Sequence, residues 1–238
     1  MAYPLRLRYR PWVTEAFSFL SDLNQIPGLR AAWVGRIPGL PILGDRDDAM
    51  NLLRPHHEQA VAHFAGAGAP LWRAEQVHGN AVATVPCREQ VTAPDGLPVV
   101  PGVDGLITLT PGIVLAIYVA DCGAIWLADR KTGAIGLLHS GKKGTESNIL
   151  GAAIEQMNRN FGSCPDDVTA VLGPCIRPPD YEVDFAKQIE KQAMSAGVGS
   201  FHDCGRNTAA DLGEFYSYRR EMGETGRMMA MITRDFLP

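Results

Sequence analysis

Three residues in this chain carry the donor chemistry of a reactive centre: His78 in AEQVHGN (74–80), Cys122 in YVADCGAIWL (118–127) and His139 in LLHSGKKGTESNIL (137–150). Each stands where an apolar, strand-like run gives way to a turn, the kind of place where functional side chains converge on a rigid scaffold. Two imidazoles and one thiolate suit zinc, and three protein ligands leave a fourth position open for water or substrate. An open position means Lewis-acid or water-activating chemistry. The same residues allow a metal-free centre, with Cys122 as nucleophile, His139 as its base and Asp121 or another carboxylate orienting the imidazole. Residue order does not separate the two. Singly, each residue also has a plain structural reading, as a small buried thiol or a hydrogen-bonded strand-end histidine.

The turn after His139 adds a second kind of chemistry. SGKKG leads into a helix expected to begin near Thr145, so backbone N–H groups after Gly144, with Lys142 and Lys143 beside them, suit an anion. Another cationic cluster lies in FYSYRRE (215–221), at Arg219 and Arg220. The functional reading of both is phosphate or carboxylate recognition. The plain one is paired basic residues on a solvated face.

These groups need elements to hold them. Apolar runs with β-branched content at 31–35, 81–85, 104–109, 113–119, 124–129, 134–139 and 168–173 read as strands, separated by turn signals such as TPG, DRKTG and GSCPDD. The stretch 104–139 reads as consecutive strands on short turns, hence largely antiparallel. Two helices follow from spacing: one capped by Thr145, with Leu150, Ile154, Met157 and Phe161 on one face and Gly162 as its stop, and one capped by Asp184, with Phe185, Ile189 and Ala193 repeating before Gly197. An earlier helix is expected within 47–64, and 86–102 is the most loop-like insert. Strands in the middle with helices after them give an α+β class and one domain over 1–238.

Composition narrows the rest. The 238 residues carry a net charge of −4, so no global basic field draws nucleic acid or acidic lipid. The longest apolar run, IVLAIYVA, is too short to cross a bilayer. The first twenty residues lack an apolar core and a small-residue cleavage pattern and read as mature protein. Five widely spaced cysteines without a CxxC pair fit a reducing cytoplasm rather than a disulfide framework.

Taken in order, QVHG (76–79), DGLIT (104–108), ADC (120–122), HSGKKG (139–144), GPCIRPPDYEV (173–183) and FYSYRREMGETGRMMAMI (215–232) resemble the motifs of the YfiH family, the laccase-domain proteins also described as purine nucleoside phosphorylases. The resemblance implies two packed mixed β-sheets flanked by helices, and a zinc site made by His78, Cys122 and His139, with copper as the other metal. It implies phosphorolysis of adenosine, inosine and methylthioadenosine, with adenosine deamination as a side activity. Cys122, His139 and Asp121 would then serve catalysis, and Lys143, Arg219 and Gln76 would bind phosphate and nucleoside. Copper-dependent polyphenol oxidation is an older label for the family, and some members look like editing factors for peptidoglycan precursors. Six histidines without an H-x-H pair argue against a multicopper centre, and the deaminase signature H-x-E…P-C-x-x-C is missing. The chain departs from the family in three places. Ser140, Lys142 and Lys143 replace the alanine, tryptophan and arginine of HAGWRG, the stretch between Tyr181 and Asp203 is short, and Asn207-Thr208 stands for Cys-Thr. Lysine keeps the charge but loses the bidentate fork of arginine, so a catalytically degenerate member is the remaining alternative.

Overall fold

The structure, a computed structural model, describes residues 13–14, 17–42 and 44–235. The expectation for the N-terminal stretch rests mainly on residues 1–12 and 15–16, which lie outside them. In chain order the elements are β1 (Val13–Thr14), α1 (Ser21–Asn24), β2 (Leu29–Val34), α2 (Arg46–Ala65), β3 (Leu71–Arg73), β4 (Val82–Thr84), β5 (Val91–Thr92), β6 (Pro98–Val99), β7 (Gly105–Thr108), β8 (Val114–Val119), β9 (Gly123–Asp129), β10 (Ile135–Ser140), α3 (Lys142–Glu146), α4 (Ile149–Phe161), β11 (Val168–Leu172), α5 (Phe185–Ser195), β12 (Ser200–Asp203) and β13 (Met228–Arg234).

The class is α+β, as expected, with two packed mixed sheets and flanking helices. One sheet has the order β1-β2-β13-β8-β3 and the other β12-β11-β9-β10-β7-β4. Parallel pairs (β3 with β8, β4 with β7, β11 with β12) sit at the margins of antiparallel ones. β8, β9, β10 and β11 are buried along their whole length, which is why their sequences read as continuous apolar runs rather than alternations. Between the sheets Trp33 and Trp126 meet with ring centroids 6.0 Å apart, and the Trp126 indole N–H donates to the Met231 carbonyl at 2.9 Å. On the outer face of the six-stranded sheet, Leu150, Ile154 and Met157 of α4 share a second core with Phe185 and Ile189 of α5.

Two expectations are corrected. The strands of 104–139 are not successive neighbours: β8 leaves β7 and pairs with β13 in the other sheet, while β10 sits between β9 and β7. Runs buried on both faces carry no sign of which sheet they belong to, so periodicity could not show the crossover. Thr145 is also not the cap of the long helix. It lies inside α3, and α4 starts after Asn148, whose side chain accepts from the Gly151 N–H at 3.1 Å. Asp184 does cap α5, accepting from the Lys187 N–H, and Gly162 closes α4 in a left-handed conformation. The 86–102 insert carries the β5–β6 hairpin. Among the described residues, no helix is long and apolar enough to cross a membrane.

Candidate functional site

The crossover between the sheets makes the site. β8 ends at Val119 in one sheet and β9 begins at Gly123 in the other, and the link turns through Asp121, which has φ +82°. A left-handed conformation is costly for a non-glycine residue and clusters where function requires it. Gln76 and His78, at φ +66° and +65°, share it. Register then brings the pieces together. Ser140 of β10 lies opposite Gly123 of β9, so Cys122 faces the residue after Ser140. A β-carbon on Gly141 would stand 2.5 Å from the Cys122 sulfur. This glycine is needed for space, and it answers why a tight turn follows His139. Gly141→Ala is expected to displace the thiol and to lower kcat/KM and bound metal by about 10–100-fold, read by kinetics and elemental analysis.

The ligand atoms of His78, Cys122 and His139 all lie within 4.8 Å of one another, and no other such group of three occurs among the described residues. The His78 and His139 rings meet edge to face, with centroids 4.8 Å apart. The carboxylate that orients His139 is Asp104, not Asp121. Its Oδ1 accepts from His139 Nδ1 and from the His78 N–H, both at 2.8 Å, and its Oδ2 accepts from the Gly79 N–H at 2.7 Å. With Nδ1 donating, Nε2 is the nitrogen left for the centre. Burial alone would raise the Asp104 pKa, but these bonds hold it below the usual carboxylate range. Burial likewise opposes ionisation of the Cys122 thiol, and the charge of His139 with hydrogen bonds from both imidazoles outweighs it, bringing the thiol down to about 6. His139, against its own burial, is raised to about 9 by Cys122 and Asp104. A thiolate-forming cysteine beside two imidazoles, one of them backed by a carboxylate, is a donor set that fits zinc.

Asp121 has a bracing place. Its Oδ1 accepts from the Thr208 hydroxyl and its Oδ2 from the Arg219 N–H, both at 2.7 Å. Gln76 is tied to β8 in both directions, donating to the Tyr118 carbonyl at 2.6 Å and accepting from the Tyr118 N–H at 2.9 Å. Beneath this clamp Arg73 and Asp95 form a buried ion pair at 2.5 Å, with the guanidinium over the Tyr118 ring.

The site opens into a cavity of about 950 Å³ that Lys142, Lys143, Tyr181, Phe185, Tyr218 and Arg219 also line. That size suits a small-molecule ligand. The helix N-terminus lies at Gly141–Lys143, ahead of Gly144, which is buried inside α3. Lys142 and Lys143 are exposed at the cavity. The Ser140 hydroxyl is satisfied by Thr145 at 2.8 Å. Arg219 is engaged, bonded to Glu182 at 3.0 Å and lying 4.9 Å over the Tyr181 ring, while Arg220 reaches Asp180. Sequence reasoning missed Asp104 as the orienting group, although DGLIT marked the place, and missed Arg46 and Arg227 as cavity residues.

A family model described as multi-copper polyphenol oxidoreductase laccase matches residues 43–188 and 183–235. The chain is 36% identical over 220 residues to a purine nucleoside phosphorylase of Deinococcus radiodurans, covering 80% of each. It is 30% identical over 230 residues to the purine nucleoside phosphorylase YlmD of Geobacillus stearothermophilus, covering 82% of each. The crystal structure of YlmD from Geobacillus stearothermophilus matches with a TM-score of 0.74 at 26% identity, over 88% of this chain and 93% of that one. A Bacillus licheniformis protein, YfiH, shares the fold with a TM-score of 0.73 at 21% identity, over 87% and 93%.

Proposed function

The chain belongs to the multi-copper polyphenol oxidoreductase laccase family, and on that premise we propose that it is a purine nucleoside phosphorylase acting on adenosine, inosine and methylthioadenosine. The observation that carries the reading is the His78–Cys122–His139 cluster opening into a cavity of about 950 Å³, walled by Tyr181, Phe185 and Tyr218. Aromatic walls suit a purine ring. The two close relatives that bear the phosphorylase name support the same class.

In this reaction the bond between the sugar's anomeric carbon and the purine nitrogen breaks. A phosphate oxygen forms the new bond to that carbon, and the base leaves with a proton. Charge develops on the sugar in an oxocarbenium-like state, so placement of the anion and of the leaving base supplies the rate. His78, Cys122 and His139 would hold zinc, with copper the alternative; bound zinc supplies Lewis acidity toward the base or toward a water, the latter accounting for deamination as a side activity. Asp104 fixes the His139 ring. Asp121 holds the Arg219 segment against the cavity, and Gln76 holds the His78 loop to β8. Lys143 and Arg219 give the mouth a positive face that draws phosphate inward.

Purified protein with adenosine and inorganic phosphate is expected to release adenine and ribose 1-phosphate in equal amounts, measured by chromatography. No turnover of any purine nucleoside by metal-loaded protein would sink the reading. A second reading has one specific observation in its favour: the Cys122 thiol, at about 6, beside a protonated His139 is also the arrangement of a thiol hydrolase. Full activity in metal-stripped protein, or hydrolysis of a peptidoglycan precursor in place of nucleoside cleavage, would select it.

A further inference from the structure

We propose that Arg46 and Arg227 form the seat for inorganic phosphate in this cavity; the assignment rests on the phosphorylase reading and names where its co-substrate binds. Five cations line the cavity: Arg46, Lys142, Lys143, Arg219 and Arg227. Asp121 is the lone carboxylate among the lining residues, and both of its oxygens are occupied. Arg219 already has Glu182 and the Tyr181 ring. The lysines are exposed on flexible stems.

Arg227 is different. It is half-buried just before β13, and Gly226 before it is packed so closely that a β-carbon would meet the Tyr216 ring at 2.6 Å. Its Nη1 is turned back onto the Thr225 and Gly226 carbonyls, each at 2.9 Å. Among the described residues its Nε and Nη2 have no hydrogen-bond partner and it forms no ion pair. Arg46, the exposed first residue of α2, lines the cavity with one bond to the Glu75 carbonyl at 3.2 Å and has no ion-paired carboxylate among the described residues. Burial and then the charge of Arg46 hold Arg227 below the usual guanidinium range, and Cys122, Tyr218 and Asp121 oppose them only in part. Two guanidinium groups lining one cavity, neither ion-paired to a carboxylate among the described residues, form a site that an anion completes. A planar guanidinium fork matches two oxygens of a tetrahedral phosphate, which a lysine point charge does not. Arg46 and Arg227 line the same cavity as Cys122 and His139, so the seat opens onto the centre where the nucleoside would react.

The test is calorimetric titration of inorganic phosphate into the whole protein without nucleoside. Saturable binding is expected, weakened at least about 10-fold by Arg227→Gln and about 3-fold or more by Arg46→Gln, with Arg227→Lys between wild type and Arg227→Gln. Arg206→Gln, whose guanidinium is held by Glu214 and Phe215, is the charge control and is expected to stay within about twofold. Circular dichroism verifies folding, and if Arg227→Gln does not fold, the exposed Arg46→Gln carries the test. Absence of binding by wild type, or unchanged binding in the folded variants, overturns the seat. Phosphate binding that both substitutions weaken, without cleavage of any nucleoside, leaves the seat standing and sinks the phosphorylase reading. Nucleoside cleavage whose phosphate KM ignores both substitutions does the reverse.

Discussion

Cys122→Ala is expected to leave a folded protein with less than about one hundredth of the wild-type phosphorolysis and no stoichiometric metal. Loss of a group behind a metal ligand costs about 10–100-fold in affinity or activity, and loss of a direct ligand costs more. Folding should survive, because the Asp104–His139 bond and the Asp104 bonds to His78 and Gly79 do not involve the thiol, and alanine just before β9 opens rather than fills space. Metal content by elemental analysis and turnover of adenosine are the two readouts. Chelator-stripped wild type makes the comparison decisive. If it loses activity and regains it with added zinc, the thiol acts as a ligand. If it stays active while Cys122→Ala does not, the thiol is the nucleophile and the metal reading fails.

Asp104→Asn is expected to damage stability and chemistry together. Three donors converge on that carboxylate, the His78 and Gly79 N–H groups and His139 Nδ1, and the residue is fully buried. An asparagine brings one acceptor oxygen and an NH₂ that is itself a donor, so at least one buried N–H loses its partner. The stability cost is about 1–3 kcal/mol, or about 2–4 °C in Tm for each kcal/mol in a chain of this size. Metal affinity and kcat/KM should each fall about 10–100-fold, because His139 is no longer held with Nε2 toward Cys122. Thermal melts and metal titration of the variant give both numbers. A variant with wild-type Tm and metal affinity would mean that Asp104 does not orient the histidine.

The comparison of the two carboxylates shows what the sequence could and could not disclose. Asp121 adjoins Cys122 in the chain, so adjacency suggests it as the partner of the imidazole. Yet the left-handed turn at Asp121 aims its side chain across to Thr208 and the Arg219 segment. Asp104 is distant in the chain and becomes the partner because β7 and β10 are antiparallel neighbours, with Leu138 opposite Gly105. Strand register is a tertiary property, and no local pattern encodes it. The same holds for β8 and β13, whose pairing carries the chain from one sheet to the other.

What was legible followed from local chemistry and from ordered motifs. The Asp184 cap, the Gly162 stop and the apolar faces of α4 and α5 rest on capping and on a 3.6-residue period, which tertiary structure had no reason to override. The His78–Cys122–His139 set came from a motif order spread over much of the chain. Arg46 and Arg227 escaped notice because a charged residue at a helix start or before a strand is ordinary in sequence. Only the cavity distinguishes these two from the arginines that have carboxylate partners.

The thiol rides on the three-residue bridge that carries the chain from one sheet to the other, while Asp104, next to β7, holds both His139 and the His78 backbone, and Gln76 also clamps the His78 loop to β8 in the opposite sheet. The donors therefore register how firmly the layers are seated on each other. Slippage between them too slight to unfold either would shift the thiol against the two imidazoles, so a cavity opened at the Trp33–Trp126 contact would be felt first as a Cys122 out of line with its partners.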